Sequence, residues 1–337
     1  MQISSSFATV PFSDIDDNDQ FRITTDVDKD MGALETSISE VGLLSPPALR
    51  RTDGGKLQVV AGFRRLTAVK QLGAHWVLCR VIPEDTDIID CFRLAIADNI
   101  ANRVLNPVEQ ATAVSKLYSL LKDPGAVCDM LSRLGLPLNP SVMKKLQCIY
   151  GLPKKALDGI AGGWIGLTVG VELARLARDD AVAIAEIFQA LRPGANKQRE
   201  ILTLSREIAA RENISISRLL CKEPGIVEIL ENEGFDRGLK TARVLAWLKI
   251  RRFPVISSAH ERYSMLEKEL GLGSHARLTP PENFEGSVFS LELKFSKTEH
   301  LADHAQLLAR LAESRAMEEI LGIGERIDRS SGPHPGD

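Results

Sequence analysis

Hydrophobic positions recur with two different periods along this chain, and the change of period divides it. Leu34, Ile38 and Val41 fall at helical spacing and stop at Gly42, which suits a helix C-terminus. The run Leu57–Ala61 reads as a short strand entered from the Gly54-Gly55 pair, a hairpin signal, and left through Gly62. Leu66, Val69 and Leu72 mark a second short helix closed by Gly73, and Trp76–Ile82 reads as a further strand. This is the pattern of a small α+β unit.

From Thr86 to about Gly271 the texture is helical, cut by Gly and Pro at 123–125, 135–140, 151–153, 159–166, 193–194 and 224–225. A Pro- and Gly-rich hinge over 278–286 leads to an alternating run, 288–295. There Phe289, Leu291, Leu293 and Phe295 share one strand face, while Val288, Ser290, Glu292 and Lys294 share the other. One helix is expected over 297–321. No second strand is evident between 86 and 286, so the 288–295 strand is expected to find its partner edge in another copy of the chain. The fold class expected is α+β: a core over 1–85 with a third motif segment extending to 115, a helical region over 116–277, a strand–helix module over 286–325 and a disordered tail over 326–337.

Charge narrows the functional classes. The chain carries 42 Lys+Arg against 45 Asp+Glu, a net charge of -3, so any nucleic-acid site must be a local basic patch. The opening MQISSSFATVPFSD lacks a basic region followed by an apolar stretch, and no run approaches the roughly 18 apolar residues of a membrane span. A cytoplasmic protein is expected. Cys79, Cys91, Cys128, Cys148 and Cys221 lack the paired short spacings of zinc sites and read as buried free thiols.

The sharpest local signal is the passage from strand through Gly62-Phe63-Arg64-Arg65 into a helix. Glycine lets backbone N–H groups approach an anion, and the helix N-terminus and two guanidinium groups supply matching charge. The same four residues also suit an ordinary strand–turn–helix with two surface arginines.

Three segments widen the context. Asn18-Asp19-Gln20-Phe21-Arg22 is the first. The second, 34–47, reads L-x-x-S-I-x-x-x-G-L-L-x-P-P and continues through Val59-Val60-Ala61-Gly62-Phe63-Arg64-Arg65-Leu66-Thr67-Ala68. The third is Asp98-Asn99-Ile100-Ala101-Asn102-Arg103-Val104-Leu105-Asn106-Pro107-Val108-Glu109-Gln110-Ala111. In order and spacing they resemble the N-P-x-Q-P-R, V-x-G-E-R-R-x-R-A and E-N-I-Q-R-x-D-L-N-P-x-E-x-A boxes of the ParB family, whose N-terminal domain is of the ParB/sulfiredoxin type. Phe63, Thr67 and Asn102 depart from those boxes, and Asp98 stands where the family has glutamate.

The resemblance implies a domain that binds CTP, or another nucleoside triphosphate, with magnesium, and that closes a homodimer as a clamp on DNA. Carried over residue by residue, Gly62, Arg64 and Arg65 would hold phosphates, Asn99 would bond the triphosphate, Gln20 and Arg22 would line the same pocket, and Asp98 would hold the metal. It further implies a nucleoid-associated protein of chromosome or plasmid partition with a partition ATPase as partner, a helix–turn–helix over 127–150 and a C-terminal dimerisation module. Between 139 and 160, Lys144, Lys145, Lys154 and Lys155 face the single acid Asp158, which suits contact with DNA phosphates or, alternatively, a solvated lysine face.

Two weaker clusters remain. Lys249, Arg251 and Arg252 lie beside Trp247 and Phe253, either as a phosphate patch or as cations at a helix end. His300 and His304 are spaced for chelation but have no third ligand nearby, so a solvated helix face is expected. The rival functional class is an enzyme on the same fold: a small-molecule kinase, an NTPase with weak turnover, or a nuclease. A sulfiredoxin is disfavoured because Phe63 occupies the place of the cysteine in its G-C-H-R turn.

Overall fold

A computed structural model describes residues 3–25, 31–284 and 286–330 of the chain. The chain divides into two compact units, Met1–Arg199 and Glu200–Asp337. The helical region read as 116–277 is therefore shared between two cores.

The first unit opens with a five-stranded sheet of strand order β1-β5-β3-β4-β2, made of β1 (Ser6–Pro11), β2 (Ile15–Asp16), β3 (Ala48–Arg51), β4 (Leu57–Ala61) and β5 (Trp76–Ile82). The Gly54-Gly55 hairpin pairs β3 with β4 antiparallel, and β3 also lies parallel to β5. β4 is buried along its whole length, which explains why it is apolar at every position but Gln58, whereas β5 alternates because one of its faces is open. Helices α1 (Met31–Val41) and α2 (Phe63–Gln71) pack together over the sheet through Ile38, Leu66 and Val69. α3 (Ile88–Asn102) packs on β4, and its Phe92 meets the buried Phe21 edge-on at 4.9 Å between ring centroids.

The third sequence box is a helix start. Asn106 caps α4 (Pro107–Leu121) from the position before the proline, and its side chain accepts from the N–H groups of Val108 and Glu109. The buried Glu109 carboxylate accepts from the Asn106 and Thr25 N–H groups and takes both terminal nitrogens of Arg103 at 2.6 Å. The box therefore ties the end of α3, the start of α4 and the 22–25 segment into one joint.

Beyond it come α5 (Pro124–Arg133), α6 (Pro140–Ile149), α7 (Lys154–Ala161), α8 (Leu167–Leu173) and α9 (Arg178–Leu191), with α10 (Ala195–Glu212) crossing the unit boundary. α5 and α6 are joined through Gly135, at φ +90°, and the Pro137–Pro140 stretch, with Asn139 capping α6. Leu131, Leu146 and Ile149 are fully buried, and α5 and α6 each pack on α4.

The second unit holds α11 (Ile216–Cys221), α12 (Pro224–Glu231), α13 (Arg237–Arg252), α14 (Pro254–Leu270), a two-stranded sheet of β6 (Ala276–Thr279) and β7 (Ser290–Leu293), and helices α15 (Thr298–Ala312) and α16 (Arg315–Ser330). Three expectations are corrected here. The 288–295 strand pairs antiparallel with β6 of its own chain, because the segment after Gly271, too short to stand out by alternation, supplies an edge. The reason for requiring a partner chain therefore disappears. The helix expected over 297–321 is broken at Glu313–Ser314: only a bend lets Leu311 of α15 and Ala316 and Ile320 of α16 reach one core with Tyr263, Leu266 and Phe284. α16 also continues to Ser330, through the first residues of the segment read as a disordered tail. Residues 331–337 lie outside those described.

Candidate functional site

Gly62 stands at the N-cap of α2 with φ +90°, a backbone conformation that glycine adopts without strain. A Cβ at this position would come within 2.9 Å of Pro47 Cβ and 3.2 Å of Arg65 Nε. Glycine is thus required both by the turn and by the closeness of the 42–47 loop. The turn opens onto a cavity of about 550 Å³ lined by Thr24, Ala33, Leu34, Ser37, Ser45, Gly62, Phe63, Arg64, Arg65, Asp98, Asn99, Asn102 and Arg103. Five of the seven residues assigned to nucleotide and metal, Gly62, Arg64, Arg65, Asp98 and Asn99, are brought together here from β4–α2 and from α3.

Their contacts are specific. Arg65 Nη2 donates to both carboxylate oxygens of Asp98 at 2.9 and 2.8 Å, while Nη1 donates to the carbonyl and hydroxyl oxygens of Ser45 at 2.8 and 2.6 Å. The two charged side chains are 16% and 28% exposed. Asn99 Nδ2 donates to Ala95 O at 2.8 Å, and Asn102 Nδ2 to Asp98 O at 2.5 Å. The Thr24 hydroxyl is buried with no hydrogen-bond partner among the described residues, and it lines the cavity. Sequence reasoning missed Thr24. Its position two residues after Arg22 was the available signal.

Gln20 and Arg22, expected in the same pocket, are not among its lining residues. Gln20 Oε1 accepts from the buried Gln58 at 3.0 Å. Arg22 instead lines a second cavity of about 460 Å³ with Phe12, Ile15, Asp16, Asp17 and Asp19, and the ring of Phe63 borders both spaces. The turn between them is held from below: Lys116 of α4 donates to the carbonyl oxygens of Asp19, Gln20 and Arg22 at 3.2, 2.8 and 2.8 Å, and burial lowers the pKa of its ammonium.

Among the described residues no group of three His, Cys, Asp or Glu is placed to hold a metal ion. Among the described residues Asp98 is the one carboxylate lining the cavity. Such a donor set fits magnesium that arrives with phosphate oxygens, since that ion commonly takes one or two carboxylates beside substrate phosphates and keeps waters.

On α6, Lys144 is exposed on one face with Ser141 and Cys148, and Lys145 is half-buried. Lys154 and Lys155 are exposed in the first turn of α7. Arg178, which sequence reasoning passed over, lines a cleft with Cys148 and Gly151 at the end of α6, and Arg175 is exposed just before it. Only folding brings the α8–α9 connection to this place.

The second basic cluster is neutralised. Lys249 pairs with Glu200 at 2.7 Å, Arg251 with Glu212 and Glu223 at 2.8 and 2.6 Å, and Arg252 with Glu207 at 2.6 Å. His304 is buried against Lys294 O, and His300 stacks on His275. The described residues contain no disulfide. Cys79 and Cys91 are buried, with thiols pushed up to about 11 by desolvation, but Cys148 and Cys221 are exposed, against the expectation that all five are buried. No helix among the described residues is long and apolar enough to cross a membrane.

Residues 2–100 match the model of the ParB N-terminal domain. The chain is 30% identical over 87 residues to a nucleoid occlusion protein of Geobacillus thermodenitrificans, covering 26% of this chain and 30% of that one. It is 30% identical over 165 residues to a probable chromosome-partitioning protein ParB of Mycobacterium leprae, covering 46% and 47%. The matched segments thus span less than half of these relatives. Among solved structures, a Pnob8-like ParB-N domain aligns over 72% of this chain and 99% of its own at 14% identity and a TM-score of 0.35. A C-terminally truncated Caulobacter crescentus ParB complexed with CTP-gamma-S aligns over 55% and 99% at 22% identity and a TM-score of 0.26. The match to the ParB N-terminal domain thus covers residues 2–100, the segment that holds the five-stranded sheet and the glycine–arginine turn.

Proposed function

We propose that this protein is a nucleotide-regulated, DNA-binding partition or nucleoid occlusion protein whose N-terminal cavity takes CTP or another nucleoside triphosphate together with magnesium. The observation that carries the reading is the cavity at Gly62. There a left-handed glycine, a helix N-terminus, Arg64, Arg65 and Thr24 line one space, and among the described residues a single carboxylate, Asp98, lines it with them. The names of the curated relatives, nucleoid occlusion and chromosome partitioning, point to DNA as the partner. Lys144, Lys145, Lys154 and Lys155 on α6 and α7 supply positive charge for phosphate contacts, and Arg175 and Arg178 extend that surface.

Dimerisation fits the same reading through a different element than the terminal strand. On α15, Leu301, Ala305, Leu308 and Ala312 are all exposed at alternating spacings of four and three, a seam suited to a second copy of the helix. A partition ATPase belongs to the same proposal as the partner class of such proteins. Asp98 itself is committed to Arg65 and is not poised as a general base for an enzymatic role.

The test is binding of CTP, ATP, GTP and UTP to the full chain by calorimetry with magnesium present. Saturable binding of at least one nucleotide is expected, and heat-free titrations with all four would overturn the reading.

A further inference from the structure

The arginine best placed to meet a phosphate already holds an anion supplied by the protein. The two terminal nitrogens of Arg65 are both engaged: Nη2 makes a forked contact with the two oxygens of Asp98, and Nη1 donates to the carbonyl and hydroxyl oxygens of Ser45. At 16% exposure the guanidinium has little free surface to offer a further oxygen. A phosphate approaching Nη2 meets the Asp98 carboxylate already seated there, and a carboxylate left beside a triphosphate repels it in a partly desolvated site.

We propose that Asp98 is an internal counter-ion that occupies the anion position of Arg65, so that phosphate binding requires the Asp98 charge to be neutralised or drawn aside. The inference rests on the nucleotide reading of the cavity and adds its regulation. A divalent cation bound to phosphate oxygens is the natural agent, because it attracts the carboxylate and frees Nη2 in one movement. The same exchange has a structural consequence. Arg65 links α3, through Asp98, to the 42–47 loop, through Ser45, and a phosphate taken from the Asp98 side loosens α3 from that loop. The rival role is a strut: the pair would then merely hold α2 against α3, and its loss would lower stability without improving phosphate binding.

Asp98→Asn and Asp98→Ala in the full chain separate these roles, with Asp98→Glu as the variant that keeps the charge. The probes are inorganic triphosphate and CTP, titrated calorimetrically in EDTA and in magnesium, with folding checked by circular dichroism and urea midpoint. In EDTA, the two neutral variants are expected to bind inorganic triphosphate at least about tenfold more tightly than the wild type, while Asp98→Glu stays near it. Magnesium should tighten the wild type and leave the neutral variants within about twofold. The EDTA arm decides, because loss of a metal ligand alone cannot strengthen binding where no metal is present. Neutral variants that are folded and bind no better than the wild type in EDTA overturn the counter-ion. Absence of CTP binding in every protein and condition overturns the nucleotide reading itself, a distinct result.

Discussion

Arg65 and Arg251 are both clamped by carboxylates, yet they face opposite fates. Arg251 sits between Glu212 and Glu223, with Trp247 beneath its guanidinium at 5.0 Å, and its charge is consumed by two acids that come from other helices of the same unit. Arg65 meets one carboxylate and borders a cavity of about 550 Å³. In the first case the ion pairs complete a packed surface; in the second, charge is held ready beside space. A run of basic residues in a sequence therefore says little until its counter-charges are known, and the presence of a cavity separates a site from a strut.

That contrast can be broken by experiment. The largest effect is expected for Arg65→Ala, which removes a charge-assisted contact worth roughly 1.5–3 kcal/mol and should abolish nucleotide binding in a calorimetric titration. Arg251→Ala should leave nucleotide binding unchanged. It should instead destabilise the second unit by about 1–2 kcal/mol in urea unfolding, because Glu212 and Glu223 lose their shared partner while partly desolvated.

DNA binding extends the comparison to the lysines. Replacing Lys144 and Lys145 by alanine should reduce the slope of log affinity against log salt by about two, while the same change at Lys249 and Arg252 should leave it unaltered. An equal loss from both pairs would erase the distinction.

The smallest effect is in acid. Hydrogen bonding from Arg251 is the main cause holding the Glu212 carboxyl below the usual glutamate range, with Arg211 adding to it against desolvation. A group whose folded-state pKa is depressed contributes stability that is full above its unfolded value and is lost as pH falls through the folded one. The acid limb of the second unit's stability curve should therefore be shallower in Arg251→Ala. Parallel acid limbs in the two proteins would remove that linkage.

Much of the first unit was legible because its signals are local. Leu57–Ala61, Trp76–Ile82 and the helices closed by Gly42 and Gly73 follow from periodicity and turn chemistry within a few residues, and the structure has them at those places. β1 was not legible, since Ser6–Pro11 becomes a strand by lying against β5, some seventy residues on. The cavity was half legible: the glycine–arginine turn and Asp98-Asn99 carry motif signals. The Arg65–Asp98 contact, the Gln20–Gln58 bond that turns Gln20 from the cavity and the burial of the Thr24 hydroxyl all depend on distant partners. The second unit misled most. Its acids at Glu200, Glu207, Glu212 and Glu223 lie up to 49 residues from the cations they neutralise, and the strand β6 is only four residues long.

The turn at 19–22 resembles, in its chemistry, an alkali-metal cage. Three carbonyl oxygens converge on one positive centre, but the centre is the ammonium of Lys116 and it is covalently supplied by α4. The segment that carries Gln20 and Arg22 thus keeps its shape without recruiting an ion from the medium. Exchanging sodium for potassium, or stripping divalent ions with a chelator, leaves this wall of the neighbouring cavity intact, and any ionic response of the domain must originate elsewhere.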